Sequence, residues 1–271
     1  MTQSERLDYL VERFKEDSVE YRGLAVGDGV EEKRRALRSL MNIRLPRAVD
    51  DETLRVQDEY LRERAAEKGV VAPEDIPTLA GRPKLSIWQG DITRLAADAI
   101  VNAANSQMLG CFVPMHACID NCIHSFAGVQ LRAECARQMG ALRERYGRGY
   151  EQPTAVPMLT DGYNLPAKKV VHIVGPIVSG ALTAALERDL ADCYTRTLDL
   201  CAENGLRTVA FCCISTGVFR FPNGRAAEIA ARTVTAWLDA RPDAMDRVIF
   251  NVFKDEDRRL YERELGGGGK I

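Results

Sequence analysis

Hydrophobic positions change their period part-way along the chain. Up to about residue 80 they recur every three or four positions. Leu7, Leu10, Val11 and Phe14 predict one amphipathic helix, Glu31 to Met41 a second, and Asp50 to Glu67 a third. The acidic start Asp50-Asp51-Glu52 suits a helix N-terminus, where the dipole favours negative charge. Val71 to Pro83 is punctuated by proline and glycine and reads as a linker. From Lys84 the pattern turns to short apolar runs. Leu85–Trp88, Ala99–Val101, Val170–Val174, Val209–Ile214 and Val248–Phe253 predict strands, mostly buried on both faces. Helical stretches lie between and after them, at roughly 119–139, 181–204, 224–240 and 255–264. Strands alternating with helices predict a layered α/β domain with a largely parallel or mixed sheet. The expected division is a helical extension over 1–82, one α/β domain over 83–265, and a flexible Gly-rich tail over 266–271.

Composition narrows the function classes. The 271 residues include 37 basic and 39 acidic side chains, a formal net charge of −2. That balance argues against a general nucleic-acid binder, which carries a basic excess. The apolar fraction of 46% is that of a globular chain. No run of 18 apolar residues predicts a membrane span, and the N-terminus lacks a secretion pattern. A cytoplasmic location is therefore expected. The Gly266–Gly269 run precedes Lys270 but is followed by neither Ser/Thr nor a helix, so it is not a phosphate loop.

Eight cysteines and three histidines are unevenly placed. Cys111-x4-His116-x-Cys118 puts two sulfurs and an imidazole within eight residues, beside Gly110 and Pro114, which favour a loop. Three such ligands with a fourth position open form the catalytic zinc pattern. The competing reading is a set of small core residues flanking a helix, since cysteine packs readily. Spacing alone leaves both open. A second segment, Ser215-Thr216-Gly217-Val218-Phe219-Arg220-Phe221-Pro222, connects a predicted strand to a predicted helix. Such a loop can offer several backbone N–H groups to a diphosphate, or be an ordinary connection with a buried Phe. A third, Gly90-Asp91-Ile92-Thr93, follows the first strand, and Asn102 and Asn105 follow the second. These Asx residues either cap their own turns or face a ligand crevice. The remaining cysteines and His172 read as core. His124 is expected to pack behind the site, and the charges of 1–80 to form solvated helix faces.

Read together, Gly90-Asp-Ile-Thr93, Asp98-Ala-Ile-Val-Asn-Ala-Ala-Asn105, Ile119-Asp-Asn-Cys-Ile-His124, Gly162-Tyr-Asn-Leu-Pro166, Val171-His-Ile-Val-Gly-Pro176 and Ser215–Pro222 resemble the macrodomain family. The resemblance runs in order over about residues 84–255. It implies a three-layer α/β/α sandwich with a mixed central sheet and an ADP-ribose ligand. Cys111-Phe-Val-Pro-Met-His-Ala-Cys118 stands where ordinary members carry a glycine-rich run. That substitution resembles the zinc-dependent subfamily, which also carries a helical N-terminal extension and removes ADP-ribose from mono-ADP-ribosylated proteins. In some bacteria that subfamily is linked with a sirtuin-type ADP-ribosyltransferase.

By position, the resemblance implies a role for each residue. Asp91 would meet the adenine amino group, with the Ile92 backbone alongside. Asn105 would hold the distal ribose and take part in catalysis with Asp120. Cys111, His116 and Cys118 would bind Zn2+. The Ser215, Thr216, Gly217, Val218 and Phe219 backbone would wrap the diphosphate, with Phe219 against the distal ribose. Phe253, or its neighbour Asn251, would pack on adenine. Arg220 stands where many relatives have glycine, and Asn102 is expected to be structural. A non-catalytic ADP-ribose reader with a structural zinc is the alternative. A zinc deaminase is disfavoured because its His-x-Glu…Pro-Cys-x-x-Cys signature is absent.

Overall fold

In the computed structural model, which describes residues 1–266, a six-stranded sheet carries helices on both faces. The strands are β1 (Leu85–Gln89), β2 (Ala99–Ala104), β3 (Met158–Asp161), β4 (Lys169–Val174), β5 (Thr208–Phe211) and β6 (Arg247–Val252). Their spatial order is β1-β6-β5-β2-β4-β3, with every pairing parallel except β3 with β4. The five parallel strands therefore all end at one edge. Their C-terminal loops gather along that edge, the usual ligand position in such sheets. The core residues of β2, Ala99 to Asn102, are buried without alternation, as a strand covered on both faces requires.

The helices are α1 (Gln3–Glu16), α2 (Val30–Ile43), α3 (Asp51–Lys68), α4 (Ile119–Ala127), α5 (Val129–Tyr146), α6 (Ala184–Glu203), α7 (Asn223–Ala240) and α8 (Asp255–Gly266). The expected 119–139 helix is two helices. Gly128 breaks it with φ of 100°, a conformation open to glycine, so α5 starts in a new direction. The strand expected to reach Ile214 ends at Phe211, and Cys212 and Cys213 already belong to the loop that follows. The antiparallel edge strand β3 was not expected. It has four residues and follows Pro157, so it shows no periodicity. Gly266, expected in the tail, closes α8; the rest of that expected tail lies outside the described residues. No described helix is long and apolar enough to cross a membrane.

Two apolar clusters result. One joins the sheet to α4–α8. The other gathers Leu7, Leu10, Val11, Phe14, Leu37, Leu40, Val56 and Tyr60 among α1–α3, with Val129 of α5 the domain's contribution. Each such side chain contributes about 1.5–3 kcal/mol on burial, so α1–α3 hold together on their own core. Their seam with the α/β domain is instead largely polar. Arg132 of α5 is 5% exposed and donates to the carbonyls of Met41, Asn42 and Arg44 and to that of Leu109. The first three are carbonyls at and just beyond the C-terminus of α2, which lack partners within the helix.

Candidate active site

The crevice is built by loops that leave β1, β2, β5 and β6. After β1, Asp91 caps a short turn: its Oδ1 accepts from the Thr93 amide at 3.0 Å and hydroxyl at 2.6 Å. Its Oδ2 faces Lys68 Nζ at 3.5 Å. The neighbouring Ile92 N–H meets no acceptor among the described residues. After β2, Asn105 Oδ1 accepts from the Gln107 amide, and its Nδ2 lies 3.3 Å from the Gly110 carbonyl and 3.5 Å from Asp120 Oδ2.

After β5, the loop turns back on itself. Phe221 donates its amide to the Ser215 carbonyl, Arg220 to the Gly217 carbonyl, and the Thr216 hydroxyl to the Cys213 carbonyl. The N–H groups of Ser215, Thr216, Gly217, Val218 and Phe219 meet no acceptor among the described residues. Five consecutive free amides can receive an anion, and the α7 N-terminus at Asn223 follows the same loop. The turn holds Ser215 at φ 65° and Arg220 at φ 57°. The left-handed requirement at residue 220 is one that glycine would meet without strain. Gly175, just past β4, permits this loop's approach: a Cβ there would stand 2.1 Å from Ser215 Oγ. Phe219 is half-buried against the core, whereas Phe253 after β6 is 76% exposed and presents an open ring face. Asn251 is not free to pack on a ligand. It is buried, and its amide donates to the Trp88 and Gly90 carbonyls, tying β6 to the end of β1.

Asp120 lies in the first turn of α4 and is 4% exposed. Asn102 on β2 donates to its Oδ1 at 2.7 Å and faces His172 Nδ1 at 3.1 Å. Because an amide nitrogen only donates, His172 Nδ1 is the acceptor and its Nε2 carries the proton toward Thr160 Oγ1 at 3.0 Å. Asn102, expected to be structural, thus positions Asp120 directly. Burial pushes the Asp120 carboxyl up to about 6. Burial also holds His172 neutral, down to about 3, and lowers His124 well below its usual range. His124 Nε2 lies 3.6 Å from Asp120, and with Cys135 and His172 it forms a second, fully buried cluster behind the crevice.

The loop before α4 brings Cys111, His116 and Cys118 together, with one ligand atom of each within 4.8 Å of the others. Cys111 Sγ and His116 Nδ1 stand 3.6 Å apart. Sulfur and nitrogen bonded to one tetrahedral zinc at about 2.3 and 2.1 Å would be separated by about 3.6 Å, so the pair fits that ion. Cys118 is the N-cap of α4, its sulfur accepting from the Asn121 amide at 3.4 Å. Burial, reinforced by the Cys111 sulfur, pushes its thiol up to about 12. Asp120 stands outside this three-residue group. All eight cysteines are free of disulfides.

The Macro domain model matches residues 101–230. A protein-ADP-ribose hydrolase of Treponema medium is 49% identical over 97% of this chain and 99% of its own. The chain belongs to the macrodomain family. A protein-ADP-ribose hydrolase of Staphylococcus aureus strain Mu50 is 41% identical over 96% of this chain and 95% of its own. A Trypanosoma brucei macrodomain, solved in complex with ADP-ribose, superposes with a TM-score of 0.64 at 28% identity, covering 83% of this chain and 94% of its own.

In this macrodomain the helical extension reaches into the site, which the sequence reading missed. Arg38 of α2 donates to the His116 carbonyl at 2.9 Å and to Asn121 Oδ1 at 2.8 Å. Asn42 accepts from the Met115 amide at 3.0 Å and donates to Ser125 Oγ at 2.8 Å. Met115 has φ 57°, so the loop is held in a conformation a methionine rarely adopts. Lys68 of α3 lies 3.0 Å from the Phe126 ring centroid as well as beside Asp91. These charges were expected to be solvated faces. The one sequence signal was Asn42 itself, a polar residue inside Leu40-Met41-Asn42-Ile43.

Proposed function

We propose that this macrodomain removes ADP-ribose from mono-ADP-ribosylated proteins, cleaving at the anomeric carbon of the distal ribose, with zinc held by Cys111, His116 and Cys118. The observation that carries the reading is the joint placement, at one sheet edge, of an anion-binding row of free amides, a buried carboxylate between two asparagines, and a convergent Cys/His set. The names of the Treponema medium and Staphylococcus aureus relatives support the reaction class. The ADP-ribose complex of the Trypanosoma brucei relative supports the ligand.

The chain's residues divide the work by position. The amides of residues 215–219 bind the diphosphate without spending a cationic side chain, consistent with a net charge of −2. The Ile92 N–H and Asp91 Oδ2, whose one partner is the Lys68 ammonium, recognise the adenine edge, and Phe253 covers its face. Asn105 orients the distal ribose beside Asp120. Asp120, fixed by Asn102, orients a water toward the anomeric carbon and accepts its proton as the bond to the protein breaks. Bound zinc would supply Lewis acidity beside the ribose and charge neutralisation for the leaving oxygen.

The test is turnover on a defined mono-ADP-ribosylated protein. Released ADP-ribose and restored unmodified protein support the reading. Tight ADP-ribose binding without release would make the chain a reader instead.

A further inference from the structure

A cavity of about 160 Å³ lies between the helical extension and α4, apart from the crevice. Ser125 and Phe126 of α4 line it, whereas Asp120 of the same helix faces β2. Five cations border it: Arg34, Arg35, Arg38, Arg64 and Lys68. Three carboxylates answer them. Glu31 pairs with Arg34, Glu67 with Arg34 and Arg64, and Asp91 with Lys68, leaving an excess of two positive charges. Arg35, exposed on α2, makes no ion pair among the described residues, so its guanidinium donors are unspent. Ser125 apart, the rest of the lining is apolar or aromatic, with Leu61, Met115, Tyr60 and Phe126 prominent.

Size and chemistry together select the occupant. Ligand pockets for drug-sized molecules run from about 300 Å³ upward, so a nucleotide does not fit. A carboxylate on a short aliphatic stem does: the stem meets the apolar wall and the charge meets the arginines. The cavity also borders the Cys/His loop, because Met115 lines it and Arg38 holds the His116 carbonyl. Under the hydrolase reading, on which this inference rests, that loop is where the modified polypeptide must leave the crevice. We propose that this cavity receives an acidic side chain of the modified protein, flanking the ADP-ribosylated residue. It gives the hydrolase a preference for modification sites in acidic sequence, and it makes the helical extension part of substrate recognition.

The experiment compares two ADP-ribosylated peptides, identical except that Glu residues flanking the modified position are Gln in the second. The zinc-loaded full chain is expected to favour the acidic peptide about tenfold in kcat/KM, mainly through KM. The double variant Arg35→Glu with Arg64→Glu should abolish that preference while affinity for free ADP-ribose stays unchanged. The conservative Arg35→Lys with Arg64→Lys should keep it, and 0.5 M salt should erase it as exposed charge pairs are screened. Equal kcat/KM for the two wild-type reactions, or an unchanged preference in the Glu variant, overturns the proposal. If neither peptide is cleaved, the hydrolase reading has failed. Wild-type binding of the same peptides then decides the cavity: tighter binding of the acidic one sustains it, and equal binding overturns it.

Discussion

Asn42→Ala is the sharpest perturbation of the seam between extension and site. Asn42 is 1% exposed and makes two hydrogen bonds, a buried one to Ser125 Oγ and a half-buried one from the Met115 amide. Ser125 keeps a partner after the change, because its hydroxyl also donates to the Asn121 carbonyl at 2.7 Å. Met115 does not, and losing that half-buried hydrogen bond costs about 0.5–1.5 kcal/mol, to which the lost Ser125 bond adds about 1 kcal/mol. The sum is about 1.5–2.5 kcal/mol. For a domain of this size that lowers Tm by about 3–10 °C, at roughly 2–4 °C per kcal/mol. The same change releases the backbone at Met115, one residue before His116. Loss of a group that orients a metal ligand typically weakens metal binding about 10–100-fold. Two assays check this: thermal unfolding of the metal-free chain, and zinc affinity by competition with a chromophoric chelator. Hydrogen exchange at the Met115 amide provides a local reading. A Tm within about 1 °C of wild type, with unchanged zinc affinity and unchanged Met115 exchange, would refute the bracing argument.

Three further outcomes follow. Gly175→Ala should weaken ADP-ribose binding by at least about tenfold, because the new Cβ would meet Ser215 Oγ and Ile214 Cγ2 and push the amide loop outward; calorimetric titration checks it. Asp120→Asn should lower turnover about 100-fold or more while ADP-ribose affinity stays within a few-fold, since Asn102 can still donate to the retained carbonyl oxygen; a stopped-time release assay beside a binding titration separates the two. Stability should fall on acidification below about pH 6.5, because an unfolded histidine takes up a proton that buried His172, at about 3, refuses. At pH 5 His172 alone accounts for a loss of about 2 kcal/mol, and His124 adds in the same sense. The raised Asp120 carboxyl, at about 6, opposes it by about 1 kcal/mol, since the folded chain protonates there first. Urea unfolding at pH 7 and pH 5 should show the net loss, and greater stability at pH 5 would contradict it.

What could be read from the sequence follows the range of the interactions. Runs such as Val170–Val174 announced strands because burial on both faces leaves no polar positions. The Cys111–Cys118 spacing allowed a convergent Cys/His set, because the three residues lie within one short segment, but left core packing equally open. Contacts between segments distant in sequence left no such trace. Arg132 reads as an ordinary helix charge until α2 ends against it, and Arg38 until the loop before α4 does. Asn102 reads as a strand-end amide until Asp120, eighteen positions on, settles beside it. β3 is edge-paired and four residues long, so pairing with β4 rather than pattern defines it. Arg220 gains meaning only from its φ of 57°, which marks where the amide loop folds back.

The central claim is that a Cys/His-held metal and the Asp120–Asn105 pair act on ADP-ribose gathered by the residue 215–219 amides. Its most direct test is single-turnover release of ADP-ribose from a modified protein, run with chain carrying one zinc per molecule and with chain verified metal-free. The account predicts release by the loaded chain, loss of release after stripping, and recovery when zinc is restored. Equal release by the metal-free chain, or no release by a loaded chain that binds ADP-ribose tightly, would contradict it.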